Sequence, residues 1–179
     1  MKILKKIFLV VAGLLLLLLI VGFLLPSEFK VQRSISIKAP ASEVYKHVVN
    51  LRKWKTWGVW FKRDPTMLIT YSGAEGDVGM TSKWVSEQEG SGEMVIIALE
   101  PNQRFIYSLY FPEMDMGSTG EFIFKESNGQ TEVIWLDYGD LGSNPINHYF
   151  SLFMDQMIGP DFEVGLENLK TLAEFTHNN

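Results

Sequence analysis

The N-terminal part of the chain is one continuous apolar run, whereas apolar and polar positions alternate over short distances in the rest. The run covers 19 residues, from Ile7 to Leu25, without a charge or a proline. A helix of that length rises about 29 Å, enough to cross a hydrocarbon core of about 30 Å. Three lysines lie within the six residues before the run. This pattern predicts a cytoplasmic N-terminus, with everything after Pro26 on the far side of the membrane.

A cleavable signal peptide is the alternative interpretation of this segment. Its apolar core would be shorter, about 7–15 residues, and would end in small residues at the cleavage site. Here the run ends in two leucines followed by Pro26, which is a poor cleavage site. We therefore expect an uncleaved signal-anchor at residues 1–26, spanning the cell (inner) membrane once through residues 7–25. One extracytoplasmic domain would follow at residues 27–179.

The period of the apolar positions predicts one strand, two short helices, six further strands and a long terminal helix. Apolar side chains alternate over residues 29–38, and helical spacing begins at Ser42. Leu51, Trp54, Trp57 and Trp60 follow at intervals of three and predict the second helix. The six later strands are expected at residues 67–71, 80–86, 93–99, 104–111, 120–125 and 131–138.

The short links between these strands require antiparallel neighbours, because parallel neighbours need a long crossover. The terminal helix should be kinked or divided at Gly159-Pro160, since proline lacks the N–H that continues a helix. Residues 131–138 and 104–111 are apolar on both faces of their strands. This pattern suggests that the outer face of the sheet meets a second copy of the chain, a protein partner or the bilayer.

Charge and composition narrow the classes of function. Without the three anchor lysines, 13 basic residues stand against 21 acidic ones, which is unsuited to binding nucleic acid. The chain has no cysteine, and no spacing of histidines and acids is typical of a metal site, so we expect no metal and no cofactor. Glycines 73, 76 and 79 lie between strands rather than before a helix, which argues against a phosphate-binding loop.

Five local sequences stand out by their order and spacing between Val31 and about Glu174. They are residues 33–40 (RSISIKAP), 42–45 (SEVY), 51–57 (LRKWKTW), 131–135 (TEVIW) and 161–170 (DFEVGLENLK). Together they resemble the START-like (SRPBCC) superfamily, and within it the polyketide cyclase/dehydrase-related group. The resemblance implies an α+β helix-grip fold, in which a curved antiparallel sheet of about seven strands surrounds the C-terminal helix and leaves an apolar cavity between them.

A cavity of that kind would be lined by large apolar side chains with a few polar groups. The residues expected to bind the ligand are Trp54, Trp57, Trp84, Tyr107, Trp135, Tyr149, Phe153, Met157 and Phe162. Each aromatic ring could equally belong to an ordinary core. The resemblance implies binding of a hydrophobic or amphipathic small molecule, such as a lipid, a quinone or a polyketide, without catalysis.

The sequence also allows two other functions. A cyclase- or dehydratase-type enzyme would need an acid–base pair in the cavity, for which Asp137, Tyr107 and His148 are the available candidates. An envelope interaction module would instead use the outer face of the sheet.

Overall fold

The computed structural model describes residues 2–177. Met1 of the predicted anchor and Asn178 and Asn179 of the predicted domain lie outside the described residues. Within residues 2–177, seven strands form one antiparallel sheet in the spatial order β1-β7-β6-β5-β4-β3-β2, which places the first strand beside the last. The strands are β1 (Glu28–Ile37), β2 (Leu68–Ser72), β3 (Thr81–Val85), β4 (Gly92–Glu100), β5 (Arg104–Phe111), β6 (Met116–Ser127) and β7 (Gln130–Asp140).

The helices lie before, within and after this meander of strands. They are α1 (Lys2–Leu24), α2 (Ala41–Val48), α3 (Trp54–Trp57), α4 (Trp60–Arg63), α5 (His148–Ser151) and α6 (Met154–His177). The second helix predicted from the tryptophan spacing is instead a 3₁₀ turn, Leu51–Lys53, followed by the two single turns α3 and α4. Gly58 between α3 and α4 has an extended backbone, which ends the helical path there.

The sheet curls around α6 because aromatic side chains of both pack face to face. The ring of Trp135 on β7 is stacked on that of Phe162 on α6, with centroids 3.9 Å apart and planes 6° apart. A Cβ atom at Gly165 would lie 3.0 Å from the Trp135 ring, so the bare backbone at this position permits the close approach. The predicted α+β helix-grip fold, with its curved antiparallel sheet and long C-terminal helix, is thus confirmed.

The expected division of the terminal helix at Gly159-Pro160 is wrong, since α6 continues through both residues, whereas the alternative of a kink there stays a prediction. The guanidinium of Arg33 on β1 crosses the helix at Gly159, where a Cβ atom would lie 2.0 Å from Arg33 Nη2. It donates to Asp155 Oδ1 at 2.7 Å and to Glu163 Oε1 at 2.6 Å, one turn before and one turn after the glycine. These two ion pairs join the turns on either side of Pro160 to β1.

The outer face of the sheet carries both polar and apolar side chains. Leu136 on β7 is only 7% exposed, and its outer-face neighbours across the sheet are Gln32 and Glu121. The Glu121 carboxylate in turn accepts from Arg104 Nε. Tyr110 and Tyr138 remain exposed on this face. The partner surface inferred from the two strands stays a prediction.

Candidate functional site

A cavity of about 360 Å³ lies between the concave face of the sheet, α3, α4 and the first turns of α6. Its volume falls within the range of small-molecule sites, about 300–1,000 Å³. Among residues 2–177, nine aromatic and six methionine side chains contribute to the wall. Methionine adapts readily to ligands of irregular shape. The wall is therefore suited to apolar ligands of irregular or variable shape.

Five of the predicted ligand-binding residues lie on this wall. They are Trp54, Trp84, Tyr107, Met157 and Phe162. Trp54 comes from α3 and donates its indole N–H to the Val48 carbonyl at 2.7 Å, which fixes the ring under the sheet. Trp84 and Tyr107 reach the cavity from inward positions of β3 and β5.

The other four predicted residues do not line the cavity, and we correct their assignment. Trp57 and Trp135 are fully buried in the aromatic core behind the wall, where they pack against each other and against Phe122. Tyr149 points to α1 and donates its hydroxyl to the Leu18 carbonyl at 2.8 Å. Phe153 is exposed at the junction of α5 and α6, because the helical stripe that predicted it is interrupted there.

Sequence reasoning missed several wall residues, although a signal for some of them was present. Phe111 and Leu109 share the inward face of β5 with Tyr107, so the period of two could have identified them. Trp60 lies on α4, one interval of three beyond Trp57. Met114 belongs to the turn between β5 and β6 and had no periodic signal.

The wall contains a buried carboxylate without a charged partner. Asp137 on β7 is 4% exposed and lines the cavity, and its Oδ1 atom has no hydrogen-bond partner among the described residues. Burial raises the pKa of Asp137 to about 7, since a charge is poorly stabilised away from water, while a hydrogen bond with Ser118 acts in the opposite direction. At neutral pH this carboxyl group can both accept and release a proton.

Tyr107 lies across the sheet from Asp137, with only Gly120 between them. The register pairs Tyr107 with Gly120 and Gly120 with Asp137 on three neighbouring strands. A Cβ atom at Gly120 would lie 1.9 Å from Tyr107 Cζ, so the ring extends over the bare backbone of β6 toward β7. Trp135 Nε1 donates to Tyr107 Oη at 2.8 Å. Burial, and then the nearby Asp137 carboxylate, raise the pKa of Tyr107 well above its usual value.

His148, the third catalytic candidate, lies outside the cavity. Its Nδ1 is 2.9 Å from the Gly22 carbonyl oxygen and its Nε2 is 2.8 Å from that of Gly142. Both contacts are structural, because they join the end of α1 to the loop before α5. We therefore remove His148 from the catalytic candidates, while Asp137 and Tyr107 share one wall.

An ion-pair cluster closes the side of the cavity between α4, the β3–β4 connection and α6. Arg63 Nε donates to Glu89 Oε1 at 2.8 Å, and Arg63 Nη2 donates to Asp161 Oδ2 at 2.7 Å. Trp60 Nε1 also donates to Asp161, at 3.0 Å. Both carboxylates lie on the wall, so their charges are neutralised from outside the cavity.

The fold and the cavity define a START-like (SRPBCC) domain preceded by an apolar helix. The chain belongs to the family described as polyketide cyclase / dehydrase and lipid transport, whose model matches residues 28–174. No curated protein matches the sequence.

Solved structures show the same fold at low sequence identity. A protein from Thermobifida fusca has a TM-score of 0.62 at 17% identity, covering 80% of this chain and 92% of its own. The Aha1 dimer structure from Colwellia psychrerythraea gives 0.55 at 22% identity, with 81% and 96% covered. The di-domain ARO/CYC protein BexL from the BE-7585A biosynthetic pathway gives 0.59 at 18% identity over 83% of this chain and half of BexL.

Proposed function

We propose that this chain binds a hydrophobic or amphipathic small molecule in the cavity without transforming it, and that its N-terminal helix holds the domain on a membrane. The observation that carries the proposal is the cavity itself, because its wall is built from aromatic and methionine side chains at a volume typical of ligand sites. The domain of residues 27–179 would supply the cavity, and residues 1–26 would supply the anchor.

The contacts of α1 support a cavity held close to the bilayer. Among the described residues, α1 is the one helix long and apolar enough to span a membrane. Its Gly22 packs against Pro145, where a Cβ atom would lie 2.4 Å from the carbonyl oxygen, and its Leu18 carbonyl accepts from Tyr149. Leu18 lies seven residues before the end of the apolar run, or about 10 Å along the helix. The loop before α5 and α5 itself would thus lie at the membrane surface.

Exposed apolar side chains surround this junction, and we name them the apolar shelf. The shelf consists of Ile146, Phe150, Leu152, Phe153 and Met157. Phe150 and Met157 also line the cavity, so the cavity is continuous with the shelf. A bilayer would cover the shelf, and a ligand would pass from the lipid into the cavity without crossing water. The three N-terminal lysines support a cytoplasmic N-terminus and a domain on the opposite side of the cell (inner) membrane.

The proposal is tested by native mass spectrometry of the full chain released from polymer-bounded nanodiscs, followed by organic extraction. We expect a retained apolar molecule in the wild type and a loss of about 10-fold or more in Ile69→Trp, because the larger ring fills the cavity beside Trp84. Leu68→Trp is the matched control, since Leu68 is the preceding residue of β2 and is 72% exposed. Met116→Trp provides a second blocked variant, and circular dichroism verifies the fold of each. Equal retention in all four proteins would refute binding in this cavity.

A cyclase- or dehydratase-type enzyme is the second candidate, favoured by the location of Asp137 and Tyr107 on one wall. A carboxyl group with a pKa of about 7 suits general acid–base chemistry near neutral pH. An enzyme would convert the extracted molecule, and Asp137→Asn would abolish the conversion while leaving the molecule bound. Recovery of an unchanged molecule from the wild type would favour binding alone.

A further inference from the structure

The polar groups of the cavity wall restrict the chemical class of the ligand's head group. Within the described part of the chain, the wall contains no lysine, arginine or histidine. Its acidic residues are Glu89, Asp137 and Asp161, of which Glu89 and Asp161 are paired with Arg63. A carboxylate or phosphate head group would meet no cation on this wall and would be repelled by Asp137.

Asp137 offers an acceptor that the folded chain leaves unused. Its Oδ1 is buried without a hydrogen-bond partner among residues 2–177. A buried acceptor without a donor costs free energy, and a ligand that supplies the donor recovers it.

Tyr107 offers the complementary group on the same wall. Its Oη accepts from Trp135, and no acceptor for its own hydroxyl proton is found among the described residues. The Oη atom would lie 2.3 Å from a Cβ atom at Gly120, so it sits above β6, one strand away from Asp137. Neighbouring strands are about 4.8 Å apart, which leaves room for one small polar group between the two side chains.

We propose that the ligand is a lipid alcohol whose hydroxyl donates to Asp137 Oδ1 and accepts from Tyr107 Oη, while its apolar part lies against the aromatic and methionine wall. This assignment rests on the proposed binding function and adds the chemical class of the ligand. An ether lacks the donor, a carboxylate lacks the donor and adds a repelled charge, and an ammonium supplies the donor but cannot accept from Tyr107.

The assignment is tested by displacement of the fluorescent probe N-phenyl-1-naphthylamine from the full chain in nanodiscs at pH 8. The competitors are 1-decanol, decyl methyl ether, decanoate and decylamine, with concentrations corrected for partition into protein-free nanodiscs. The fluorescence that remains with Ile69→Trp is subtracted as lipid background. We expect decanol to displace the probe at a concentration about 10-fold or more below that of the ether or decanoate, as a hydrogen bond to a charged acceptor predicts.

Variants of Asp137 separate this interaction from general affinity. Asp137→Leu should bring decanol and decyl methyl ether within about threefold of each other, because the acceptor is gone. Asp137→Asn retains an acceptor oxygen without the charge, so it should keep the preference for decanol over the ether and lose affinity for decylamine. Leu68→Trp should behave as wild type.

The outcomes distinguish the two proposals. If Ile69→Trp keeps the full probe signal, the proposed binding function fails, whatever the order of the competitors. If Ile69→Trp loses the signal while the four competitors displace the probe equally, or decanoate or decylamine is the best of them, binding stands and the alcohol assignment is overturned.

Discussion

Gly120 decides where the Tyr107 hydroxyl lies, although it carries no functional group of its own. A side chain at this position would occupy the space of the Tyr107 ring, with Cβ only 1.9 Å from Cζ. Asp137 and Tyr107 were named from the sequence as candidates for an acid–base pair in the cavity. The role of Gly120 depends on register across three strands, which no local pattern reveals.

Gly120→Ala should therefore destabilise the domain and weaken ligand binding together. We expect a loss of about 1–3 kcal/mol in the free energy of unfolding, as for other overpacked cores. Urea unfolding followed by tryptophan fluorescence measures it, because all five tryptophans lie outside α1. In the double variant with Tyr107→Leu the ring is absent, so the added cost of Gly120→Ala should largely disappear. A cost that persists in the double variant would show that the ring is not its cause.

At the scale of elements, two arginines hold α6 in relation to the sheet and the cavity. Arg33 fixes its first turns to β1 across Pro160, and Arg63 joins it to α4 and the β3–β4 connection. The sequence predicted the helix, but its alternative of a division at Gly159-Pro160 is wrong, because α6 is continuous there. Ion pairs between residues 130 positions apart, such as Arg33 and Glu163, have no signature in the sequence.

Removal of the Arg63 side chain should speed ligand exchange more than it changes affinity. In Arg63→Gln, α4 and α6 lose their charged link beside the cavity, so we expect the dissociation rate of N-phenyl-1-naphthylamine to rise about 3–10-fold. Stopped-flow fluorescence measures that rate, and higher salt should reproduce part of the effect in the wild type. Arg52→Gln is the control, because Arg52 pairs with Glu75 away from the cavity wall. An equal acceleration in both variants would rule out a specific closing role for Arg63.

At the scale of the whole molecule, two buried groups titrate in opposite directions. Burial lowers the pKa of His47 to about 4. Between about pH 4 and pH 6.5 this side chain is therefore neutral in the folded chain and protonated in the unfolded chain. Burial raises the pKa of Asp137 to about 7, so the folded chain keeps a proton that the unfolded chain releases above pH 4. The His47 contribution to stability therefore increases with pH between 5 and 6.5, whereas that of Asp137 decreases between 5 and 7.

These two slopes should largely cancel in the wild type, and single variants should reveal each of them. We expect Asp137→Asn to gain roughly 1–2 kcal/mol of stability as pH rises from 5 to 6.5, because only the His47 titration remains. His47→Gln should lose a similar amount between pH 5 and 7, since only Asp137 then titrates. Urea unfolding at four pH values in this window measures both slopes. If the free energy of unfolding of a variant changes with pH as in the wild type, the titration assigned to the substituted residue is refuted.

The sequence by itself determined the apolar N-terminal helix, the seven strands, the terminal helix and the aromatic character of the interior. These features follow from local periodicity, in which each residue's position depends on neighbours a few places away. It did not separate Trp54 on the cavity wall from Trp57 in the core, because both satisfy the same spacing. Only the tertiary structure decided which rings face empty space.

The tertiary structure also decided the chemistry of the cavity. Two strand pairings bring Asp137 and Tyr107 to the same wall of the cavity. His148 instead contacts the end of α1, and α6 is continuous across Pro160. Each of these results depends on contacts between distant parts of the chain. The free energies of these contacts arise from burial and from pairing in the folded state. The local pattern of residue types along the chain therefore does not predict which individual contacts form.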